Sequence, residues 1–182
     1  MPEWNDREII QEFKTPGNEE RAFNHLVTSY RERLYWHIRK IVIVHDDADD
    51  VLQNTMIKVW KSLAGFRAES GLYTWLYRIA TNEALSFLKQ KKKKAFASWV
   101  EADAQMSQNL MADPWFNGDE IQLKLQQAIL KLPDKQRIVF NMKYFDHVKY
   151  EEMSEILGTS VGALKASYHH AVKKIETMLE DD

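Results

Sequence analysis

The chain has 182 residues, of which 45% are hydrophobic and 12% aromatic, a composition that allows one large or two small folded domains. It contains no cysteine, which excludes disulfides and thiolate metal sites and fits a reducing cytoplasm. Its polar start, MPEWNDREII, is no secretory signal, and no apolar run is long enough to span a membrane, so we expect no membrane insertion. The formal net charge of −2 is unusual for a protein that binds DNA unaided, since such proteins are usually basic.

The N-terminal half carries apolar residues at three- and four-residue steps, which predicts three helices. The first covers residues 20–39, and the second begins near residues 46–50 and ends at Leu63. A loop, residues 65–71, leads to the third helix at about residues 72–89. The lysine-rich run KQKKKK lies at the end of that helix.

The C-terminal half begins after a stretch without clear periodicity, residues 95–118, which we interpret as a flexible linker with at most one short helix. A helical pattern then starts at Asp119 and stops at Pro133, and another covers residues 135–144. We find no strand alternation of useful length and no internal repeat. The sequence therefore predicts an all-α fold with two small helical domains, residues 1–94 and 119–182, joined by the linker.

The end of the chain, YEEMSEILGTSVGALKASYHHAVKKIETML, has the pattern of a helix-turn-helix. Gly158 can adopt the left-handed backbone that ends a helix, and Ser160 can cap the next one. The second helix has a predicted buried face made of Val161, Leu164, Tyr168, Val172, Ile175 and Leu179. Its opposite, polar face consists of Lys165, Ser167, His169, Lys173 and Lys174. The alternative is an ordinary helical hairpin whose lysines are merely solvated.

Residues for catalysis or for binding a metal or cofactor are not evident. The six histidines do not form a zinc-protease motif, and the six glycines are scattered singly, without a phosphate loop. Four aspartates near residues 46–50 resemble a hard-cation site, but the glycine and distal glutamate of a calcium loop are missing. We interpret these aspartates as a helix start that the helix dipole stabilises. The sequence thus predicts no catalytic residue, no metal and no cofactor.

The second predicted helix has a polar face that suits a protein partner. Asp49, Asp50, Gln53 and Asn54 lie at neighbouring positions on one side, beside an apolar side. Carboxylates bind guanidinium groups in a bidentate manner, so this face suits a partner that presents arginines.

The segment FRAESGLYTWLYR, residues 66–78, interleaves aromatic residues with arginines. Exposed aromatic and cationic side chains together can stack on and hold single-stranded bases, and the amide of Asn82 can bind the edge of a flipped base. The alternative, favoured for Trp60, Trp75 and Tyr77, is that the large aromatic residues belong to the core.

Two blocks in this order resemble the extracytoplasmic-function sigma factors, the smallest class of the bacterial sigma-70 family. The first, resembling the family's second conserved region, is DADDVLQNTMIKVWKSLAGFRAESGLYTWLYRIATNEALSFLK. The second, resembling the fourth region, is LPDKQRIVFNMKYFDHVKYEEMSEILGTSVGALKASYHHAVKKI. The resemblance covers nearly the whole chain.

The resemblance implies core RNA polymerase as a partner. Asp49, Asp50 and Gln53 match the helix that docks on the clamp helices of the polymerase β′ subunit. Asn54 stands where a glutamate is common, which predicts a weaker or differently tuned contact. The fourth region would contact the β flap, the linker would pass through the RNA-exit path, and an anti-sigma factor is expected as an inhibitor.

The resemblance also implies contacts to promoter DNA. Those to the minus-ten element are Phe66, Arg67, Trp75, Arg78 and Asn82. Phe66 and Arg67 belong to the loop that captures an unstacked base, Asn82 helps to hold that base, and the lysine run lies near the DNA backbone. Those to the minus-thirty-five element are Lys165, Ala166, Ser167, His169 and His170. Ser167 and His170 stand where arginines are frequent, which puts the usual promoter sequence in doubt.

A sigma factor would also explain the low net charge, because the core enzyme brings both domains to the promoter together and two weak sites then suffice. Two alternatives remain at this point. A stand-alone helix-turn-helix regulator would bind duplex DNA tightly without polymerase, and a helical adaptor would have no DNA function.

Overall fold

The computed structural model describes residues 4–94 and 120–180, and within these ranges the chain forms helices and no strand. The helices are α1 (Asp6–Phe13), α2 (Glu19–Val42), α3 (His45–Leu63), α4 (Leu72–Lys94), α5 (Glu120–Leu130), α6 (Asp134–Tyr144), α7 (Tyr150–Leu157) and α8 (Val161–Glu180). The predicted all-α fold is confirmed. The predicted linker, residues 95–118, lies outside the described residues.

The chain divides into two compact units, Met1–Phe87 and Leu88–Asp182. The division falls within α4, which continues to Lys94 and so includes the lysine run. The domain limits expected from the sequence, at residues 94 and 119, stay a prediction.

The first unit packs α1 and α3 against the long helix α2. The core contains side chains that are fully buried, among them Ile9 of α1, Leu26, Leu34 and Ile38 of α2, and Val59 and Leu63 of α3. The sequence did not predict α1, although its signal is present. Asn5 and Glu8 form a capping box, and Ile9 and Phe13, one turn apart, supply its buried side.

Helix α4 is attached to α2 by a buried polar contact. His37 Nε2 lies 2.7 Å from Thr81 Oγ1, whose hydroxyl donates to the Tyr77 carbonyl. Thr81 Oγ1 therefore accepts the bond from His37, which fixes the neutral tautomer that carries its proton on Nε2. Burial, with a smaller effect from the charge of Lys40, lowers the pKa of His37 to about 3.

The second unit is organised around α8, against which α5, α6 and α7 pack. Its core cluster comprises Ala128, Ile129, Leu132, Phe140, Ala171 and Ile175. The expectation that Leu179 belongs to the buried face was wrong, since it is 38% exposed, and the apolar pattern from Asp119 begins with Ile121, which is 76% exposed. On α8 the buried side passes through Ala171 and continues to Met178. Four residues rotate an α-helix by slightly more than one full turn, so repeated four-residue steps gradually leave the buried side.

Candidate nucleic-acid and protein interfaces

Helix α3 presents an acid and amide face to solvent. Asp49, Asp50, Gln53 and Asn54 are all exposed, whereas Val51, Leu52 and Val59 of the same helix are buried. The structure thus brings the four predicted protein-binding residues together on one rigid surface.

One of these residues, Asp49, has a partner within the chain. Its Oδ2 lies 3.4 Å from Nε2 of His45, and Nδ1 of the same ring is 2.7 Å from the Tyr35 hydroxyl. With Nε2 protonated toward Asp49, Nδ1 accepts the hydrogen bond that the tyrosine donates. Both members of the Asp49–His45 pair are more than half exposed, so an incoming arginine can compete for the carboxylate.

The same helix exposes two large apolar side chains, Ile57 at 46% and Trp60 at 41%. The expectation that Trp60 belongs to the core was wrong. Its indole is contacted edge-on by Phe13 and Phe23, at centroid distances of 5.3 and 5.0 Å, and the rest of the ring remains open to solvent.

The loop between α3 and α4 is fixed at Phe66. Its N–H donates to the Leu63 carbonyl at 3.1 Å, and its ring packs on Trp75 at a centroid distance of 4.9 Å. Phe66 is only 5% exposed, so its ring does not present a face to a base. Tyr77 is also buried, which confirms the favoured interpretation that it belongs to the core. Arg67 is exposed and Trp75 half-buried. Arg67 therefore extends outward from an anchored neighbour.

Helix α4 carries one exposed polar stripe. Trp75, Arg78 and Asn82 follow each other at three- and four-residue steps and so share a side of the helix. Arg78 and Asn82 are exposed, and the same side continues through exposed Ser86 and Lys89 into the lysine run. The opposite side, with Tyr77 and Thr81, faces α2.

An ion pair lies beside Asn82. The carboxylate of Glu83 accepts a hydrogen bond from the Lys58 ammonium group, which joins α4 to α3. The position of Asn82 is thereby tied to the helix that bears the acid face.

The helix-turn-helix forms as predicted. Gly158 adopts the left-handed conformation with a φ of 64° and ends α7, and Ser160 Oγ accepts a hydrogen bond from the Ala163 N–H at 3.3 Å. On α8 the five predicted minus-thirty-five residues lie within two turns. Lys165, Ala166, His169 and His170 are exposed, and Ser167 is half-buried. The arrangement suits insertion into a major groove.

Tyr150, which the sequence analysis missed, lies beside this surface. The Nζ atoms of Lys143 and Lys165 lie 4.6 and 5.7 Å from the centroid of its ring. Burial raises the pKa of the Tyr150 hydroxyl. Such cation–π contacts restrict where the Lys165 side chain extends. The available signal was an aromatic residue at the start of α7, but the two lysines come from other helices.

Lys14, also missed, bonds to the anchored loop. Its Nζ donates to the Phe66 carbonyl at 2.9 Å, a contact between residues 52 positions apart. No periodicity in the sequence predicts a contact over that separation.

Within residues 4–94 and 120–180, no three His, Cys, Asp or Glu side chains are grouped so that they could hold a metal ion. No helix in these two ranges is long and apolar enough to cross a membrane.

Comparison with protein families matches both halves of the chain. Residues 26–94 match Sigma-70 region 2, and residues 122–175 match Sigma-70, region 4. The chain is similar to the ECF RNA polymerase sigma factor SigW of Bacillus subtilis, at 30% identity over 88% of this chain and 90% of SigW. It is also similar to the RNA polymerase sigma-H factor of Pseudomonas aeruginosa, at 27% identity over 96% of this chain and 94% of that factor.

Solved structures show the same fold. The similar structures include CnrH in complex with the cytosolic domain of CnrY, with a TM-score of 0.68 and 22% identity over 97% of this chain and 98% of that one. Another is the sigma factor RpoE in complex with the anti-sigma factor NepR from Bartonella quintana, with a TM-score of 0.68 and 21% identity over 88% of this chain and 98% of RpoE.

A helix-turn-helix unit and a second helical unit with an acid face define a class of transcription factors. Within that class, the chain belongs to the extracytoplasmic-function sigma factors of the sigma-70 family. It is therefore a polymerase-binding factor for promoter-specific initiation, and its family regulates transcription without catalysis. This assignment displaces both the stand-alone regulator and the adaptor.

Proposed function

We propose that the chain binds core RNA polymerase through the acid and amide face of α3 and meets promoter DNA through two other surfaces. The observation that carries this proposal is the exposure of Asp49, Asp50, Gln53 and Asn54 along one side of a helix whose opposite side is buried. An exposed, rigid set of carboxylates and amides suits the arginines expected on the β′ clamp helices.

The minus-ten element meets the loop and the polar stripe of α4. Arg67, Arg78 and Asn82 supply the polar contacts, and Trp75 supplies the half-buried edge of an aromatic surface. Phe66 acts as the internal anchor of the loop. Holding a flipped base in this site offsets the few kcal/mol that unstacking costs. The lysine run extends the surface along the DNA backbone.

The minus-thirty-five element meets α8. Lys165, Ala166, Ser167, His169 and His170 are placed to enter the major groove, with Lys165 and His169 one turn apart. Few of these side chains carry a permanent charge. Affinity for the duplex therefore depends on attachment to polymerase, which holds both DNA surfaces near the promoter and raises their effective concentration.

Further partners follow from the family. The two domains, residues 1–94 and 119–182, are joined by a linker that passes through the RNA-exit path, and the C-terminal domain contacts the β flap. An anti-sigma factor inhibits the chain, as NepR is bound to RpoE in the similar structure. The protein acts in the cytoplasm and has no enzymatic activity of its own.

Reconstitution with bacterial core polymerase tests the proposal. The purified chain is expected to co-elute with core in gel filtration and to support transcription from a subset of promoters that core alone does not use. Tight operator binding by the free chain, without co-elution, would instead restore the stand-alone regulator.

A further inference from the structure

The loop of residues 65–71 is held by three contacts that converge on Phe66. The N–H of Phe66 donates to Leu63, its ring packs on Trp75, and its carbonyl accepts from Lys14 Nζ at 2.9 Å. The first two contacts come from the adjoining helices. The third comes from Lys14, which directly follows α1 and precedes the residues that match Sigma-70 region 2.

Helix α1 is a firm support for this contact. Its start is closed by the capping box of Asn5 and Glu8, and the Tyr30 hydroxyl donates to Asp6 Oδ1 at 2.7 Å. Ile9 and Phe13 are buried against the rest of the unit. Lys14 follows Phe13 directly, and its N–H bonds back to the last turn of α1. The ammonium group therefore extends from a fixed backbone.

The carbonyl that Lys14 binds belongs to the peptide unit that joins Phe66 to Arg67. Because a peptide unit is planar, fixing this carbonyl also fixes the direction in which the Arg67 N–H leaves. One residue later, Ala68 has a φ of 56°, which residues other than glycine rarely adopt and which surrounding contacts must maintain. The loop thus starts from a defined direction and holds a strained conformation.

We propose that Lys14 is a positioning residue for DNA opening: it holds the Phe66 carbonyl, so that Arg67 and the rest of the loop meet the melted strand in one preformed arrangement. This inference rests on the proposed function of the loop at the minus-ten element. A preformed loop loses less conformational freedom on capturing a base, which favours the open complex. The residue with this role, Lys14, follows α1 and lies outside residues 26–94, which match Sigma-70 region 2.

The test compares a fully duplex promoter with the same promoter carrying a pre-opened bubble, using holoenzyme assembled at saturating chain. Lys14→Met removes the donor and keeps the aliphatic stem, and Lys14→Arg keeps a charged donor. Arg7→Met is the matched control, since it removes one exposed positive charge from the same helix. The readout is the ratio of duplex to bubble transcription, which cancels any difference in the fraction of folded chain.

We expect Lys14→Met to lower this ratio roughly 3- to 10-fold, from the loss of a hydrogen bond with a charged donor. Lys14→Arg should recover most of the ratio, and Arg7→Met should match wild type. A wild-type ratio for Lys14→Met, an equal loss for Arg7→Met, or no recovery with Lys14→Arg would each overturn the inference.

Asn82→Ala separates this inference from the proposed function. A reduced ratio for Asn82→Ala beside a normal one for Lys14→Met contradicts only the role of Lys14. If wild-type holoenzyme opens no duplex promoter although it transcribes the bubble, the proposed melting function fails, and the role of Lys14 fails with it.

Discussion

The surfaces proposed to meet the two promoter elements are each supported by an apolar core, and they differ in the polar contacts around them. In the first unit, polar contacts between distant residues connect the helices, as in His37–Thr81, Lys58–Glu83 and Lys14–Phe66. In the second unit, α8 packs on the apolar core cluster, Gly158 ends α7, and Ser160 caps α8. One exposed bond there joins distant residues: Lys174 Nζ donates to Gln136 Oε1 at 3.1 Å. The difference suits the proposed tasks, since a flipped base binds in a shaped pocket, whereas duplex DNA is read by the exposed face of one helix.

The largest expected effect lies on the acid face of α3, which only the first unit carries. Asp50→Lys combined with Gln53→Lys places positive charge against the arginines expected on polymerase, a repulsion that costs several kcal/mol. We expect core affinity to fall about 100-fold or more. Fluorescence anisotropy with labelled chain measures the affinity, and circular dichroism verifies unchanged helicity.

The matched control adds the same charge elsewhere on the first unit, through Glu20→Lys and Ser29→Lys at two exposed positions of α2. Full core affinity in the α3 variant, or an equal loss in the control, would count against the assignment of this face.

Acid should weaken the first unit through His37. Its pKa in the folded chain is about 3, below the ordinary value of about 6.5, so the unfolded chain takes up a proton first as the pH falls. Neutral His37 contributes fully to the free energy of unfolding above about pH 6.5. Below that pH the free energy of unfolding falls by roughly 1.4 kcal/mol per pH unit, until the pH approaches the folded-state pKa.

Urea unfolding between pH 4.5 and 7.5 measures this dependence on the free energy of unfolding. His37→Gln keeps an N–H donor for Thr81 but cannot titrate. Its free energy of unfolding should therefore fall less steeply with decreasing pH than that of wild type, by roughly 1.4 kcal/mol per pH unit. Hydrogen exchange at pH 4.5 should show α2 and α4 losing protection before α6 and α8. Parallel pH slopes for the two proteins would remove His37 as the cause.

How far the sequence predicted these features depends on the range of the contacts involved. The helices that carry the sites, and the caps of the helix-turn-helix, follow from local periodicity and from single residues such as Gly158. Helix α1 escaped prediction because only Ile9 and Phe13 mark its buried side.

The sequence predicted which residues of the candidate site are exposed, but it did not predict which residues contact each other. The exposure of Asp50, Asn82 and Lys165 agrees with what helical periodicity implies. The burial of Phe66 depends on a ring in the next helix, and the bond from Lys14 spans 52 positions. Contacts of this kind leave no periodic trace in the sequence.

A smaller change in stability is expected from substituting the residues with left-handed backbone in the two units. Gly158 has a φ of 64°, and a Cβ placed there would meet no atom within 4 Å, so Gly158→Ala carries only the backbone cost of about 1–2 kcal/mol. Ala68 has a similar φ of 56°, so Ala68→Gly relieves strain but frees the unfolded chain, and we expect a change under about 1 kcal/mol. Thermal unfolding measures both, and a larger cost for Ala68→Gly would contradict the expected strain in the loop.

The smallest effect concerns the lysine beside Tyr150. Lys165→Ala should change the preferred minus-thirty-five sequence, and His169→Ala should do so more mildly. Tyr150→Leu should weaken the Lys165-dependent preference by roughly 2- to 5-fold, the size of an exposed cation–π contact, while Tyr150→Phe keeps it. Selection by holoenzyme from a library randomised at minus-thirty-five measures these preferences. Identical sequences selected by wild type and Lys165→Ala would remove Lys165 from base reading.

The central claim is that the first unit opens DNA while the second reads duplex. Permanganate footprinting of Asn82→Ala and Lys165→Ala holoenzymes on the duplex promoter, together with their binding to and transcription from duplex and pre-opened templates, tests it most directly. The account predicts that Asn82→Ala binds the duplex promoter but melts it poorly, by about 1–3 kcal/mol, and is partly rescued by the bubble. Lys165→Ala should lose binding on both templates alike. Rescue of Lys165→Ala but not of Asn82→Ala would contradict the claim.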